Sequence, residues 1–187
     1  MTKRIFDLSI LFILSPILIA LIAVVYFFCL VINSKSIFFF QDRGGYLGRK
    51  IKIIKFRTID NNDKHISKFN NFLRKTKLDE LPQFYNILKG DLSLVGPRPL
   101  HFEYKKLYNK KQKKRFLQKP GITGLAQIQS GDSMSWSKQF EIDIEYCENC
   151  TLILDVEILI KTIVYLLKSL FLKKKNTNNK KKFNGRN

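Results

Sequence analysis

The chain has 187 residues, 45% of them hydrophobic and 13% aromatic, which fits one core-forming domain with appendages. Its 34 Lys plus Arg against 15 Asp plus Glu give a formal charge of +19, a balance that calls for a polyanionic neighbour: nucleic acid, an anionic membrane surface or phosphorylated small molecules. Three cysteines exclude a disulfide framework, and the isolated Cys147-x-x-Cys150 lacks the second pair a zinc site needs, so all three read as reduced thiols suited to the cytoplasm.

From Leu8 to Ile32 no side chain is charged, a run long enough to cross a bilayer and too long for the apolar part of a cleaved signal peptide. Ser15-Pro16 interrupts it, and Pro16 removes one backbone hydrogen bond and crowds the preceding turn. The Ser15 hydroxyl is placed to satisfy carbonyls that proline leaves free. Lys3 and Arg4 precede the run, while Lys35, Arg43, Arg49 and Lys50 follow it. Positive charge on both flanks gives a single span conflicting orders, whereas a helix that bends at Ser15-Pro16 and returns keeps both flanks on the cytoplasmic side. Re-entry is the expectation.

Two short strands are expected next, Ile37–Gln41 and Lys50–Phe56, the second alternating Lys50 and Lys52 with Ile51 and Ile53. A helix with Ile66, Phe69, Phe72 and Leu73 on one face follows. A second helix, running through DELPQFYNILKG, must begin near Asp79, because Pro82 is tolerated only in a first turn. Gly90-Asp91 closes it, and LSLVGPRP leads through a short apolar segment into a rigid loop.

From His101 to Pro120 eight Lys or Arg face one Glu, interleaved with Phe102, Tyr104, Tyr108 and Phe116. That run suits a solvated helix, a helix in a headgroup layer or a nucleic-acid-binding face, and beside an anchored segment the membrane surface is favoured. Between Asp155 and Leu172 a narrow polar stripe of Glu157, Lys161, Tyr165 and Lys168 leaves a broad apolar face, fit to lie on a bilayer or to pack on the core. Residues 173–187 are Lys/Asn-rich and expected to be disordered.

Asp79 and Glu80 are adjacent acids in a basic chain. As first-turn residues they complement a helix dipole and need no further role. The same pair also suits chemistry: a carboxylate can attack phosphorus to form an acyl phosphate, and its neighbour can hold Mg²⁺. Lys55, Arg57, Arg74 and Arg98 are candidate phosphate binders, and arginines beside a carboxylate are expected to lower its pKa.

KRIFD, the SP within the apolar run, KFRT, LDELPQFYNILKGDLSLVGPRPL, KPGITGLAQ, SWSKQFEIDIEY and the terminal FNGRN occur in this order. Together they cover nearly the whole chain, and it resembles the bacterial sugar transferase family, the monotopic phosphoglycosyl transferases, most of all its minimal PglC-type members. The resemblance implies transfer of a phospho-sugar from a UDP-sugar to polyprenol (undecaprenyl) phosphate with release of UMP, through a phospho-sugar aspartate intermediate, in bacterial glycan biosynthesis. It implies Asp79 as nucleophile, Glu80 with Asp79 as Mg²⁺ ligands, and Lys55, Arg57, Arg74, Pro97, Arg98 and Asp143 as substrate-binding residues. It also implies membrane re-entry at Ser15-Pro16, flanked by Lys3 and Arg4. Leu125 stands where the family usually has Trp, Phe116 where His is common, and Gln129-Ser130-Gly131 replaces an NGR loop, so no sugar specificity carries over.

The expected fold is mostly α with a small β-hairpin (α+β). Residues 1–33 form a re-entrant membrane helix hairpin, 34–172 a catalytic domain with amphipathic interfacial helices, and 173–187 a basic tail. The expected place is the bacterial inner membrane, with the catalytic domain on the cytoplasmic face against inner-leaflet phospholipid. A tethered nucleic-acid-binding protein accounts for the charge but not for LDELPQ or GPRP, and a silent scaffold does not account for an intact Asp79-Glu80, so no nucleic acid is expected.

Overall fold

The computed structural model describes residues 2–32, 36–59, 67–130, 134–171 and 182–185. Expectations resting on Lys35, Ile66, Gly131 and residues 173–181 fall outside them. In chain order the elements are α1 (Thr2–Ile32), β1 (Phe38–Gly44), β2 (Lys50–Phe56), α2 (Lys68–Thr76), α3 (Gln83–Lys89), β3 (Ser93–Val95), β4 (Gly121–Thr123), α4 (Leu125–Ser130), α5 (Trp136–Asn149) and α6 (Leu152–Phe171). Three-ten turns at Leu78–Glu80, Phe102–Leu107 and Gln112–Leu117 complete the path. Helix predominates, as expected. β1 and β2 pair across Gly45–Arg49, a connection short enough to require antiparallel strands. By contacts the chain divides into two units, Met1–Gln41 with Lys52–Lys89, and Asp42–Ile51 with Gly90–Asn187.

In the first unit α1 is the one helix, among the described residues, long and apolar enough to cross a membrane, with mean hydropathy 3.0 in its most apolar window. It runs through Pro16 as one helix, so the two-helix hairpin read from the sequence is not seen as separate elements. The carbonyl that Pro16 cannot bond is that of Phe12, and the Ser15 hydroxyl donates to it at 2.8 Å. Arg4, Asp7, Leu11, Ser15, Leu18, Ile22, Val25 and Cys29 recur at steps of three and four and form the one stripe of α1 that is withdrawn from solvent along its length. Val25 and Cys29 join Phe56, Leu73 and Leu81 in a buried cluster, with Leu18, Ile22, Phe38 and Phe69 packed against it. The other faces stay bare; Phe12 is 81% exposed.

β2 spans the expected residues, with Ile51 and Ile53 buried and Lys50 and Lys52 outward. On α2, Phe69 and Leu73 turn inward but Phe72 is exposed, so its apolar face is narrower than expected. Ser67 caps α2, accepting from the Asn70 N–H. Asn86, buried on α3, accepts from the Ile54 N–H at 3.2 Å and donates to the Lys52 carbonyl at 2.8 Å, thereby extending the edge of β2.

The second unit is centred on β3 and β4, which run parallel with Ser93 opposite Gly121 and Val95 opposite Thr123. A Cβ on Gly96 would lie 2.2 Å from the Lys119 carbonyl oxygen, and one on Gly121 2.1 Å from the Gly96 nitrogen. Glycine is therefore required where the GPRP and PGITG backbones touch. α6 packs on these strands with Asp155 and Ile158 buried; the Tyr146 hydroxyl donates to Asp155 at 2.6 Å, and the Thr123 and Thr162 hydroxyls lie 2.7 Å apart. Its opposite side is uncovered, with Ile153 84% exposed and Ile160, Ile163 and Leu167 also out.

Two expectations need correction here. His101–Pro120 is not one helix with aromatics in a headgroup layer but two three-ten turns, and Tyr108 and Phe116 point into a core with Leu100, Phe140 and Phe183. Those rings bury large apolar surfaces and gain further from tilted and edge-to-face contact with one another. Phe183, from the stretch expected to be disordered, is 4% exposed within that core.

Candidate active site

In the first unit α2 ends at Lys77, which takes the left-handed conformation at φ 63° and turns the chain into the three-ten turn Leu78–Glu80. A lysine in that region is uncommon and locally strained. α3 begins only at Gln83, with Pro82 just ahead of it. Asp79 and Glu80 therefore lie in a separate turn before the helix and not in its first turn, and the helix-dipole account of the pair is withdrawn.

Lys55, near the end of β2, reaches Glu80 at 2.5 Å, and both side chains are largely buried. Asp79 Oδ1 is buried with no hydrogen-bond partner among the described residues. Burial pushes the Asp79 carboxyl above the usual aspartate range, the adjacent Glu80 charge adds to the push, and Lys55, Lys77 and Arg74 pull it back only in part. The expectation that basic neighbours leave Asp79 with a lowered pKa is thus reversed, because desolvation is the larger effect.

The remaining sequence candidates in this unit separate. Arg74 is exposed in the last turn of α2 and acts on Asp79 through its charge. Arg57 donates from Nε to the Ser36 carbonyl at 3.0 Å and lies over the Phe39 ring, which ties it to the entry of β1. Arg4 donates to the Ile87 and Leu88 carbonyls at the C-terminal end of α3, a cap for groups the helix leaves unpaired.

No group of three His, Cys, Asp or Glu able to hold a metal exists among the described residues. Mg²⁺ does not require one: it takes one or two carboxylates and fills its shell with water and substrate phosphate. An orphaned, buried Asp79 oxygen beside Glu80 fits that donor set.

In the second unit Pro97 is buried and Arg98 half-buried. Arg98 lines a shallow open recess with Gly44, Gly45, Pro97, Arg115 and Gln118. Arg115 donates to the Arg98 carbonyl at 2.7 Å and to Asp143 at 2.7 Å, and its guanidinium lies over the Tyr108 and Phe140 rings. Burial works against the Arg115 charge, but Asp143 alongside holds it firmly cationic. Asp143 is 2% exposed, so it acts through Arg115 and offers no surface to a substrate. Sequence reasoning missed Arg115, which looks like one more cation in a basic run, and Asn86, whose backbone partners lie some thirty residues away.

The family profile described as bacterial sugar transferase matches residues 1–169. An uncharacterized sugar transferase of Bacillus subtilis strain 168, EpsL, is 42% identical across 98% of this chain and 96% of its own length. UDP-glucose:undecaprenyl-phosphate glucose-1-phosphate transferases of Xanthomonas campestris pv. campestris and Escherichia coli K12 are 35% and 36% identical over 70% and 68% of this chain. The chain spans only 31% and 32% of the length of those two proteins.

Proposed function

Because the chain belongs to the bacterial sugar transferase family, we propose that it moves a sugar 1-phosphate from a UDP-sugar to undecaprenyl phosphate, releasing UMP. The observation that carries this reading is Asp79: its Oδ1 is buried with no hydrogen-bond partner among the described residues, within the electrostatic reach of Lys55, Lys77 and Arg74. An acceptor oxygen left bare in a cationic setting is poised for an electrophile that arrives with its own negative charge.

The proposed sequence has two displacements. Asp79 attacks the phosphorus that carries the sugar; the bond from that phosphorus to the bridging oxygen breaks, and UMP leaves with the electron pair. An oxygen of undecaprenyl phosphate then attacks the same phosphorus, and the aspartyl–phosphorus bond breaks to regenerate the carboxylate. Lys55 holds Glu80 in place and, with Arg74, offsets charge near Asp79; Arg98 is proposed as a two-pronged phosphate ligand. Mg²⁺ held by Asp79 and Glu80 would neutralise pyrophosphate charge.

The proposed location is the cytoplasmic face of the inner membrane, with α1 re-entrant and bent at Pro16. Both ends of α1 support it: Arg4 bonds α3, and Val25 and Cys29 pack with Phe56, Leu73 and Leu81, all in the unit that holds the acids. A helix that crosses a bilayer has ends about 30 Å apart and on opposite sides. The bare faces of α1 and α6 are the surfaces offered to phospholipid.

The test is incubation with UDP-sugar in the absence of polyprenol phosphate. UMP release of up to one per active site, with a phospho-sugar mass gain on Asp79 and ping-pong kinetics, is expected. UMP that appears only with both substrates present, and no adduct, removes Asp79 as nucleophile.

A further inference from the structure

We propose that Phe183 is a positioning residue: seated in the aromatic core of the second unit, it clamps Arg115 and through it the loop that presents Arg98. Four rings surround Phe183, those of Phe140, Trp136, Tyr104 and Tyr108, at centroid distances of 5.1, 5.6, 5.7 and 5.7 Å. Two of these four, Phe140 and Tyr108, are the rings over which the Arg115 guanidinium lies, at 5.5 and 5.7 Å. Arg115 in turn donates from Nη2 to the Arg98 carbonyl at 2.7 Å, while its Nε is buried without a hydrogen-bond partner among the described residues.

The contacts form an unbroken series from Lys182–Gly185 to the phosphate-facing loop. Gly185 reinforces the seat, turning at φ +90° beside Leu107, on the same three-ten turn as Tyr104. A ring wedged among four others is held in one orientation by packing, and a guanidinium stacked on two of those rings inherits that order. Without Phe183 a ring-sized cavity opens behind Phe140 and Tyr108, and Arg115 loses the wall that fixes where it points. The consequence is confined to position. Arg98 keeps its charge and its chemistry but not its place.

Trp136 is the only tryptophan in the sequence, and it touches Phe183, so its emission reports directly on the seat. In the full-length protein Phe183→Ala is expected to shift that emission to the red and raise its quenching by acrylamide, while Phe183→Tyr leaves both unchanged. Hydrogen exchange by mass spectrometry follows the next link. Phe183→Ala is expected to speed exchange at Arg98–His101 and Gln112–Leu117 by about tenfold while leaving α3 unaltered, as local opening does. The kinetic effect rests on the transferase reading: KM for UDP-sugar rises at least about tenfold with kcat much less affected, and Phe183→Tyr restores it.

Unchanged tryptophan emission overturns the seat. Exchange that quickens equally in both units, or not at all at Arg98, overturns the coupling and leaves Phe183 a packing residue. Wild-type protein that releases no UMP removes the transferase reading, and fluorescence and exchange still decide the clamp.

Discussion

The Lys55 ammonium lies 2.5 Å from Glu80 Oε1, and neither side chain has much water around it. Removing the cation takes the counter-charge away from a largely buried carboxylate, which costs far more than the net worth of the pair. Lys55→Met is expected to lower stability by about 3 kcal/mol, measured by denaturant unfolding in detergent. Glu80→Gln keeps a neutral acceptor for Lys55 and should fold normally, with a weakened response to Mg²⁺ that excess metal partly restores. Excess metal should restore nothing to Asp79→Asn.

Asp79 gives a second, opposite stability signature. Its folded pKa is raised above the ordinary 3.8, so the folded protein holds that proton more tightly than the unfolded chain. The associated stability is intact below 3.8 and is lost as pH rises through the folded value. At neutral pH the charged group works against folding. In chelator-containing buffer Asp79→Asn should melt at or above the wild-type temperature, with the difference vanishing in acid, while forming no covalent adduct. A clear loss of Tm at neutral pH would show that Asp79 is a structural residue.

Asn86 joins α3 to the backbone of β2, one residue before Lys55. Asn86→Leu leaves the Ile54 N–H and the Lys52 carbonyl unpaired and should cost about 2–4 kcal/mol. Asn86→Asp keeps the acceptor for Ile54 but turns a carboxylate towards the Lys52 carbonyl, so its stability should fall as pH rises past the carboxylate range. Thermal melts of both variants across pH distinguish them.

The Arg115–Asp143 pair is buried on both sides. Arg115→Met takes the buried counter-charge away from Asp143 and should destabilise by about 3–5 kcal/mol, and adding Asp143→Leu should recover most of that. Turnover should not recover with it, because the Arg98 carbonyl still lacks its donor. Parallel unfolding and UMP-release measurements separate the two effects.

Local chemistry in this chain was legible from sequence. The alternation of Ile51 and Ile53 marked β2 to the residue, and Ser15 stands where proline's missing hydrogen bond needs a donor. What escaped was set by partners distant in the chain. Nothing near Arg115 says that Asp143 waits 28 residues on, and the PGITG segment pairs as a strand only because GPRP lies against it. Asp79 shows the same limit. The basic neighbours could be counted, but the burial that outweighs them could not.

The proposed re-entry would put Thr2 and Tyr46 on one side of the membrane. With native cysteines replaced, Thr2→Cys and Tyr46→Cys should both resist an impermeant maleimide applied from outside and both react in inverted vesicles. Pro16→Leu supplies Phe12 with a regular helix donor and should shift part of the population to a spanning form, with Thr2 exchanging sides. Opposite-side labelling in the wild-type background would overturn re-entry.

The stripe from Arg4 to Cys29 makes the greasy helix an internal part of the acid-bearing unit. Such an anchor is not a modular accessory. Trimming residues 1–33 to obtain a water-soluble fragment would take Val25 and Cys29 out of the cluster around Phe56 and Leu73 and uncap α3 at Ile87 and Leu88. A foreign membrane anchor spliced on in its place would restore attachment but not that cluster. Substitutions on that stripe of α1 are therefore constrained by the partners they meet in β2, α2 and α3, and not by apolarity alone.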